Sequence, residues 1–267
     1  KIWDVSSNGI EEFDSLDYIY VMGDVTSFQG SLQLNVKRVK KMAESDVNPA
    51  DYLPVSEYNI EEMYQKLLAY IDQMKHSYLK QLAESFFKDA DFAKRFQFHS
   101  AAKSVHHGFV GGLLEHTLHV TQICDFFCNL YPMLNRDLLL TAAMFHDVGK
   151  LSELSTFPAN DYTDDGQLLG HIMIGAMEVQ KHIDQIAGFP KRTASELIHC
   201  ILAHHGELEY GSPKKPALAE AIALSFADNS DAKLETMREA LSNIPENSLE
   251  WQGFNRFLDS NIRRTGK

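Results

Sequence analysis

Five short segments of this chain carry residues that could together bind metal: His116, His146-Asp147, His171, His204-His205 and Asp228. The centre of the set is Ala143-Met144-Phe145-His146-Asp147-Val148-Gly149-Lys150. An apolar stretch at helical spacing delivers two adjacent metal-type side chains and then stops. Burying an ionised Asp costs several kcal/mol unless it is paired or bound to a cation, so an apolar helix does not carry such a pair cheaply. Imidazole and carboxylate together suit Mn, Fe, Co, Ni or Zn better than Ca or Mg. Asp147 is the natural bridging ligand, because its two oxygens can hold two ions ~3.5–4 Å apart. Such ions would clamp a phosphate, polarise phosphorus and turn a bound water into a hydroxide nucleophile.

Neighbours of the pair could share that chemistry. Lys150 is one helical turn beyond His146 and can meet a phosphate oxygen as a point charge, or simply complement a helix end. His205 follows His204 directly and projects differently, so it reads either as a ligand or as a substrate contact. His119 is an outer-layer or surface residue on this reading. His76, His99, His106, His107, His182 and His199 read as ordinary structural histidines. Other chemistries find less support. There is no Gly-rich phosphate loop, no H-E-x-x-H helix and no G-x-S-x-G elbow. A triad of Ser225, Asp228 and His204 would leave His116 and His146-Asp147 unexplained.

The elements that must position these groups are mostly helical. Asn59 with Glu62 fits a capping box ahead of Met63, Leu67, Leu68 and Ile71 at helical spacing. Helical patterns continue near 77–88 and 90–98. Gly108, Gly111 and Gly112 open a helix carrying His116, and Leu138 to Phe145 leads into the His-Asp pair. After a polar loop at 158–166, helices are predicted near 167–187, 193–204 and 216–233, with a further one near 248–263. The first 45 residues alternate differently. Ile2-Trp3-Asp4-Val5, Tyr18 to Val25 and Leu32 to Val39 read as strands, with Phe28-Gln29-Gly30-Ser31 as a hairpin turn. Three strands make a poor domain by themselves. They would fit as the last three of a five-stranded barrel whose first part, like the true N-terminus, lies upstream of Lys1. The expected organisation is a partial barrel at 1–45, a linker at 46–57 with Pro49 and Pro54, a helical domain at 58–235 and a polar tail at 236–267.

Composition bounds the function. At 267 residues with 44% hydrophobic and 23% charged content, the chain reads as a globular protein. No apolar run approaches the ~18 residues of a membrane helix, and no signal peptide is evident. Cys124, Cys128 and Cys200 read as reduced core thiols, which points to the cytoplasm. A net charge of −12 is awkward for a nucleic-acid binder, although bound cations would offset part of it. Local basic clusters at Lys37-Arg38-Lys40-Lys41, Lys94-Arg95-Lys103 and Arg263-Arg264-Lys267 read first as solvated faces.

The order His116, His146-Asp147, His171, His204-His205, Asp228 resembles the HD-domain metal-dependent phosphohydrolase superfamily over roughly residues 105–235. Further matches are Gly111 to Thr117, Asn135 to Leu140, Leu168 to Ile172, His204 to Pro213 and Ala227 to Ala232. These resemble the YhaM-type 3′→5′ exoribonucleases, bacterial proteins with an N-terminal OB-fold and a C-terminal HD domain. The resemblance implies a mainly α fold, a helical HD domain preceded by the C-terminal half of an OB-fold. It also implies a Mn-dependent 3′→5′ exonuclease acting on single-stranded RNA, or DNA, in a homo-oligomer. By motif position, one metal would take His116, His146, Asp147 and Asp228, and a second would share Asp147 and add His171 and His204. Asp147, Lys150 and His205 would carry the chemistry, with Asn229 and Asp231 as outer-layer candidates. In the half-barrel, Tyr18, Tyr20 and Phe28 with Lys37 and Arg38 are candidates for holding a strand. The main departure is the missing front half of the barrel. Two alternatives stay open: a phosphohydrolase of nucleotides or cyclic dinucleotides using the same residues, and a binding or regulatory protein with a vestigial metal site.

Overall fold

The computed structural model describes residues 9–28, 31–47, 51–103 and 107–266. The chain divides into two compact units, residues 1–53 and 54–267. In the first unit, β1 (Ile19–Phe28) pairs antiparallel with β2 (Ser31–Lys41). The register shifts between Met22 and Gly23, where Met22 faces Arg38 and Gly23 faces Val36, so Lys37 bulges from the ladder. Ile10 adds a parallel bridge to Val39, the one deeply buried residue among those described in this ribbon. Val25 and Leu32 are 67% and 79% exposed, so among the described residues the ribbon closes no core. Among the described residues the strands form no barrel, and the predicted strand at 2–5 and the tip of the hairpin lie outside them.

The second unit is helical because its sequence repeats the same start signal. Asn59 accepts from the Glu62 N–H before α1 (Ile60–Asp72), and the His76 ring nitrogen caps α2 (Ser77–Phe87). Asp89 caps α3 (Ala90–Phe98). Then come α4 (Gly112–Leu130), α5 (Arg136–Phe145, capped by Asn135) and the single turn α6 (Lys150–Glu153). They are followed by α7 (Asp164–Gln185, capped by Thr163), α8 (Lys191–Ala203) and α9 (Ala219–Leu241). α5 is central. Every residue from Leu138 to Phe145 is buried, and the helix packs on α2, α4, α8 and α9. Phe86, Phe87, Phe92, Phe96 and Phe145 interlock, mostly edge to face but with Phe92 and Phe96 stacked, and the Phe86 and Phe145 centroids are 4.8 Å apart. Each such ring contributes about 1.5–3 kcal/mol on burial, so the end of α5 is firmly seated.

Three expectations are corrected. α7 is not one smooth helix: Gly170 has φ 71° and ψ 157°, a kink immediately before His171. α9 crosses the expected boundary at 235 and ends at Leu241. The predicted helix near 248–263 is instead a short antiparallel pair, β3 (Phe254–Asn255) and β4 (Ser260–Asn261). Gly253 at φ 85° and Asp259 at φ 49° adopt left-handed backbone there, which a right-handed helix excludes. The tail is held to the helical unit by the buried Ile262 and by the Arg264 guanidinium, which donates to the Leu241 carbonyl. Among the described residues no helix is long and apolar enough to cross a membrane.

Candidate metal centre

His116 sits in the second turn of α4, His146 and Asp147 in the tight turn between α5 and α6, His171 just after the kink in α7, His204 at the end of α8, and Asp228 midway along α9. Two glycines let these elements converge. At Gly149 a Cβ would run into the His171 carbonyl, so only glycine lets α7 approach the His-Asp turn. Gly170 takes the positive φ that turns His171 inward, a conformation that costs other residues more. Glu153 then fixes His171: its Oε1 accepts from the His171 backbone N–H at 2.9 Å and faces the ring Nδ1 at 3.0 Å.

Asp147, 2% exposed, lies at the middle. Its Oδ2 is 3.5 Å from Nε2 of both His116 and His146. Asp228 Oδ1 joins that side, 3.2 Å from His116 Nε2 and 3.9 Å from His146 Nε2. The other oxygen, Oδ1, faces His171 Nε2 at 3.4 Å and His204 Nε2 at 3.7 Å. Ligand atoms of His116, His146 and Asp228 lie within 4.8 Å of one another, and so do those of His171, His204 and His205. Asp147 therefore offers one oxygen to each trio.

Each of the four central imidazoles is held by its other nitrogen. His146 Nδ1 donates to the Ala143 carbonyl at 2.8 Å and His204 Nδ1 to the Ile201 carbonyl at 2.7 Å. His116 Nδ1 meets Asp231 Oδ2 at 2.7 Å, and His171 Nδ1 meets Glu153. A carbonyl can only accept, so Nδ1 of His146 and His204 carries the proton and Nε2 keeps its lone pair, the ligating form. His116 Nε2 and His146 Nε2 meet each other at 3.1 Å, but on the opposite side the inward atoms are left without partners. Asp147 Oδ1, His171 Nε2 and His204 Nε2 are buried and make no hydrogen bond. Each orphaned group costs about 1–3 kcal/mol. A divalent cation on the Oδ1 side of Asp147, between His171 and His204, would satisfy all three, so the residues present fit a bound metal there.

The electrostatics agree. Burial by itself would raise the Asp147 carboxyl, but Lys150, His146, His171 and His116 outweigh it and hold it well below the usual carboxylate range. Lys150 Nζ lies 2.7 Å from Asp147 Oδ2. Asp228 is likewise lowered, against burial, by its hydrogen bond to His116. Burial pushes His146 and His204 down, keeping them neutral. His116 differs. Burial opposes its charge, yet hydrogen bonds to Asp228 and Asp231 raise it to about 10, so a bound cation must displace a proton there.

Asp231 gathers three imidazoles: His116, His107 Nε2 at 2.9 Å and His119 Nδ1 at 3.0 Å. Both His107 and His119 thus belong to the layer behind the ligands. Replacing such an outer partner typically costs 10–100-fold in metal affinity. Asp231→Asn is accordingly expected to weaken divalent-metal binding by about tenfold or more, measured by titration calorimetry on the folded variant.

The structure brings all six expected ligands together and adds His205 to the second trio. His205 Nδ1 contacts the Tyr210 carbonyl at 2.7 Å. Asp147, Lys150, His205, Tyr210, Asp228 and Asn229 line one cleft of about 820 Å³. His76 caps α2, His99 bonds the Ser100 and Leu154 carbonyls, and His182 packs on Phe86, all structural as expected. His199 accepts from the Ala217 N–H. Cys124, Cys128 and Cys200 are free thiols, and His106 lies outside the described residues. Two contributors carry no signal in the sequence: Glu153, which no motif marks, and His107, which reads as structural but meets Asp231.

Residues 113–233 match the HD domain family. The 3′-5′ exoribonuclease YhaM of Geobacillus sp. (strain WCH70) is 34% identical over 245 residues, covering 91% of this chain and 75% of the relative. The 3′-5′ exoribonuclease YhaM of Bacillus pumilus (strain SAFR-032) is 32% identical over 245 residues, 91% of this chain and 77% of the relative. No solved structure matches the chain. Similarity running through nearly the whole sequence, joined to a His/Asp centre of this kind, makes the chain a member of the YhaM exoribonuclease family and a hydrolytic, HD-type phosphodiesterase.

Proposed function

We propose that the enzyme is a Mn-dependent exonuclease that shortens single-stranded RNA from its 3′ end, releasing nucleoside 5′-monophosphates. One observation carries this reading: the shared carboxylate of Asp147, with an unpartnered oxygen, sits at the wall of a cleft open enough to admit a chain end. The names of the relatives supply the substrate class and polarity. Nitrogen and carboxylate donors favour Mn and its neighbours over Ca or Mg.

When bound, the cations supply Lewis acidity toward the phosphate and make a coordinated water acidic enough to ionise near neutral pH. The protein does the rest. Asp147, held as a carboxylate, keeps one oxygen for each trio. His146 and His204, fixed through backbone carbonyls, present lone pairs without having to reorient. Lys150 lines the cleft and places a positive charge where a non-bridging phosphate oxygen would arrive. His205, its Nδ1 engaged by Tyr210, presents its remaining ring edge to the same space. In the first unit we read the ribbon as the back half of an OB-fold. Its exposed Tyr20 and the basic Lys37 and Arg38 would hold the strand; Lys37 is paired with Asp24, and the Phe28 side chain lies outside the described residues.

Incubation with Mn and a 5′-labelled single-stranded oligoribonucleotide should give a ladder that shortens one nucleotide at a time, with 5′-mononucleotide product. A matched DNA strand run in parallel reports sugar selectivity. Internal cutting, or turnover confined to mononucleotides or cyclic dinucleotides, would overturn the proposal in favour of a different phosphohydrolase.

A further inference from the structure

The cleft over the metal centre does not end in polar groups. It shares Ile222 and Phe226 with an adjoining apolar groove of about 380 Å³ that continues to Tyr131 and Met133. On α9, Ile222, Ser225, Phe226 and Asn229 recur at i, i+3, i+4 and i+7, one face of the helix, and all four line the cleft. Phe226 is 62% exposed and Ile222 47%. Large apolar side chains held open on a packed helix, beside a catalytic cleft, call for a ligand that covers them.

The joined cavities dictate its chemistry. One end, at Asp147, Lys150 and His205, takes an anionic phosphate. The other is apolar and edged by aromatic rings. A ligand filling both must carry a phosphodiester and a flat ring system on one short scaffold, which describes a nucleotide. Aromatic side chains hold bases through their π-faces without reading sequence, at about 1–3 kcal/mol per base. A rigid helix is a suitable platform for this, since little side-chain entropy is lost when the ring is covered.

We infer that Phe226, with Ile222 beside it, is a nucleobase-stacking subsite that seats the terminal nucleotide while its phosphate lies at Asp147. This rests on the exonuclease reading above and adds to it a positioning device for the substrate. The device explains how an enzyme with a net charge of −12 can hold a polyanion: part of the grip is apolar.

The test compares two 5′-labelled single-stranded oligoribonucleotides that differ only at the 3′-terminal residue, which carries either a base or a stable abasic sugar. The readout is the ratio of kcat/KM for the two in Mn buffer. Wild-type protein should favour the base-bearing strand by about tenfold or more. In Phe226→Ala that ratio should fall close to one, and Phe226→Trp should restore it. Because the side chain is largely exposed, its truncation should leave the helical circular dichroism intact, and the tryptophan variant guards against a folding artefact. A wild-type ratio near one would mean that something other than a base occupies the groove, such as an apolar peptide, and would overturn the inference. So would a Phe226→Ala protein that keeps the full ratio, including one that loses activity equally on both strands. Failure of the wild type to cut either strand would instead overturn the exonuclease reading.

Discussion

Replacing Asp147 with alanine is expected to abolish hydrolysis while leaving the helices folded. Asp147 faces His116 and His146 through one oxygen and His171 and His204 through the other. Loss of an outer partner costs about 10–100-fold in metal affinity or activity. Loss of the carboxylate shared by both trios should exceed that, on the order of a thousandfold or more in kcat/KM. The alanine variant also strips Lys150 of its partner, and breaking a buried ion pair carries a stability cost. Asp147→Asn separates the two effects. Its amide oxygen can still accept from Lys150, so stability should recover, but its NH₂ cannot serve as the second bridging donor, so activity should not. Oligonucleotide turnover and thermal melts of both variants decide the matter. An asparagine variant with near-normal turnover is incompatible with a bridging role.

The second large effect is on stability. Divalent Mn should raise the melting temperature substantially, and chelation should reverse it. A ligand that binds only the native state stabilises by about 4 kcal/mol at a thousand times its Kd. For a helical unit of this size each kcal/mol moves Tm by roughly 2–4 °C, so a rise of about 10 °C is expected. The same buried atoms explain the direction: Asp147 Oδ1, His171 Nε2 and His204 Nε2 are unpartnered without a cation. Mg and Ca, which prefer all-oxygen ligands, should do less. In Asp147→Ala the Mn shift should largely vanish. Differential scanning calorimetry with and without chelator measures all three, and an unchanged Tm across saturating Mn would contradict the account.

Much of this centre could be read from the sequence because its chemistry is paradoxical there. An apolar helix ending in His146-Asp147 makes sense only if something compensates the buried carboxylate, and His116, His171, His204 and Asp228 recur on the other apolar helices. The helix starts were legible for a similar reason: Asn59, as cap, leaves a local mark. What escaped notice leaves none. His146 and His204 are oriented by the carbonyls of Ala143 and Ile201, backbone atoms that every residue type has. Glu153 reaches His171 across 18 residues, and His107 reaches Asp231 across 124, distances at which residue spacing carries no signal. The helix expected near 248–263 does not form, because Gly253 and Asp259 interrupt it through backbone conformation, which residue type alone does not reveal. The apolar groove beside Phe226 was also invisible, since a Phe on a helix reads as a core residue until the fold leaves it 62% exposed.

Asp147 is expected to lie between two cations, one among His116, His146 and Asp228, the other among His171, His204 and His205. The most direct measurement is anomalous scattering at the Mn absorption edge from a crystal grown with Mn. Two peaks roughly 3.5–4 Å apart are expected, one against each oxygen of Asp147. Any map in which Asp147 fails to touch an ion on both sides would contradict this bridging arrangement.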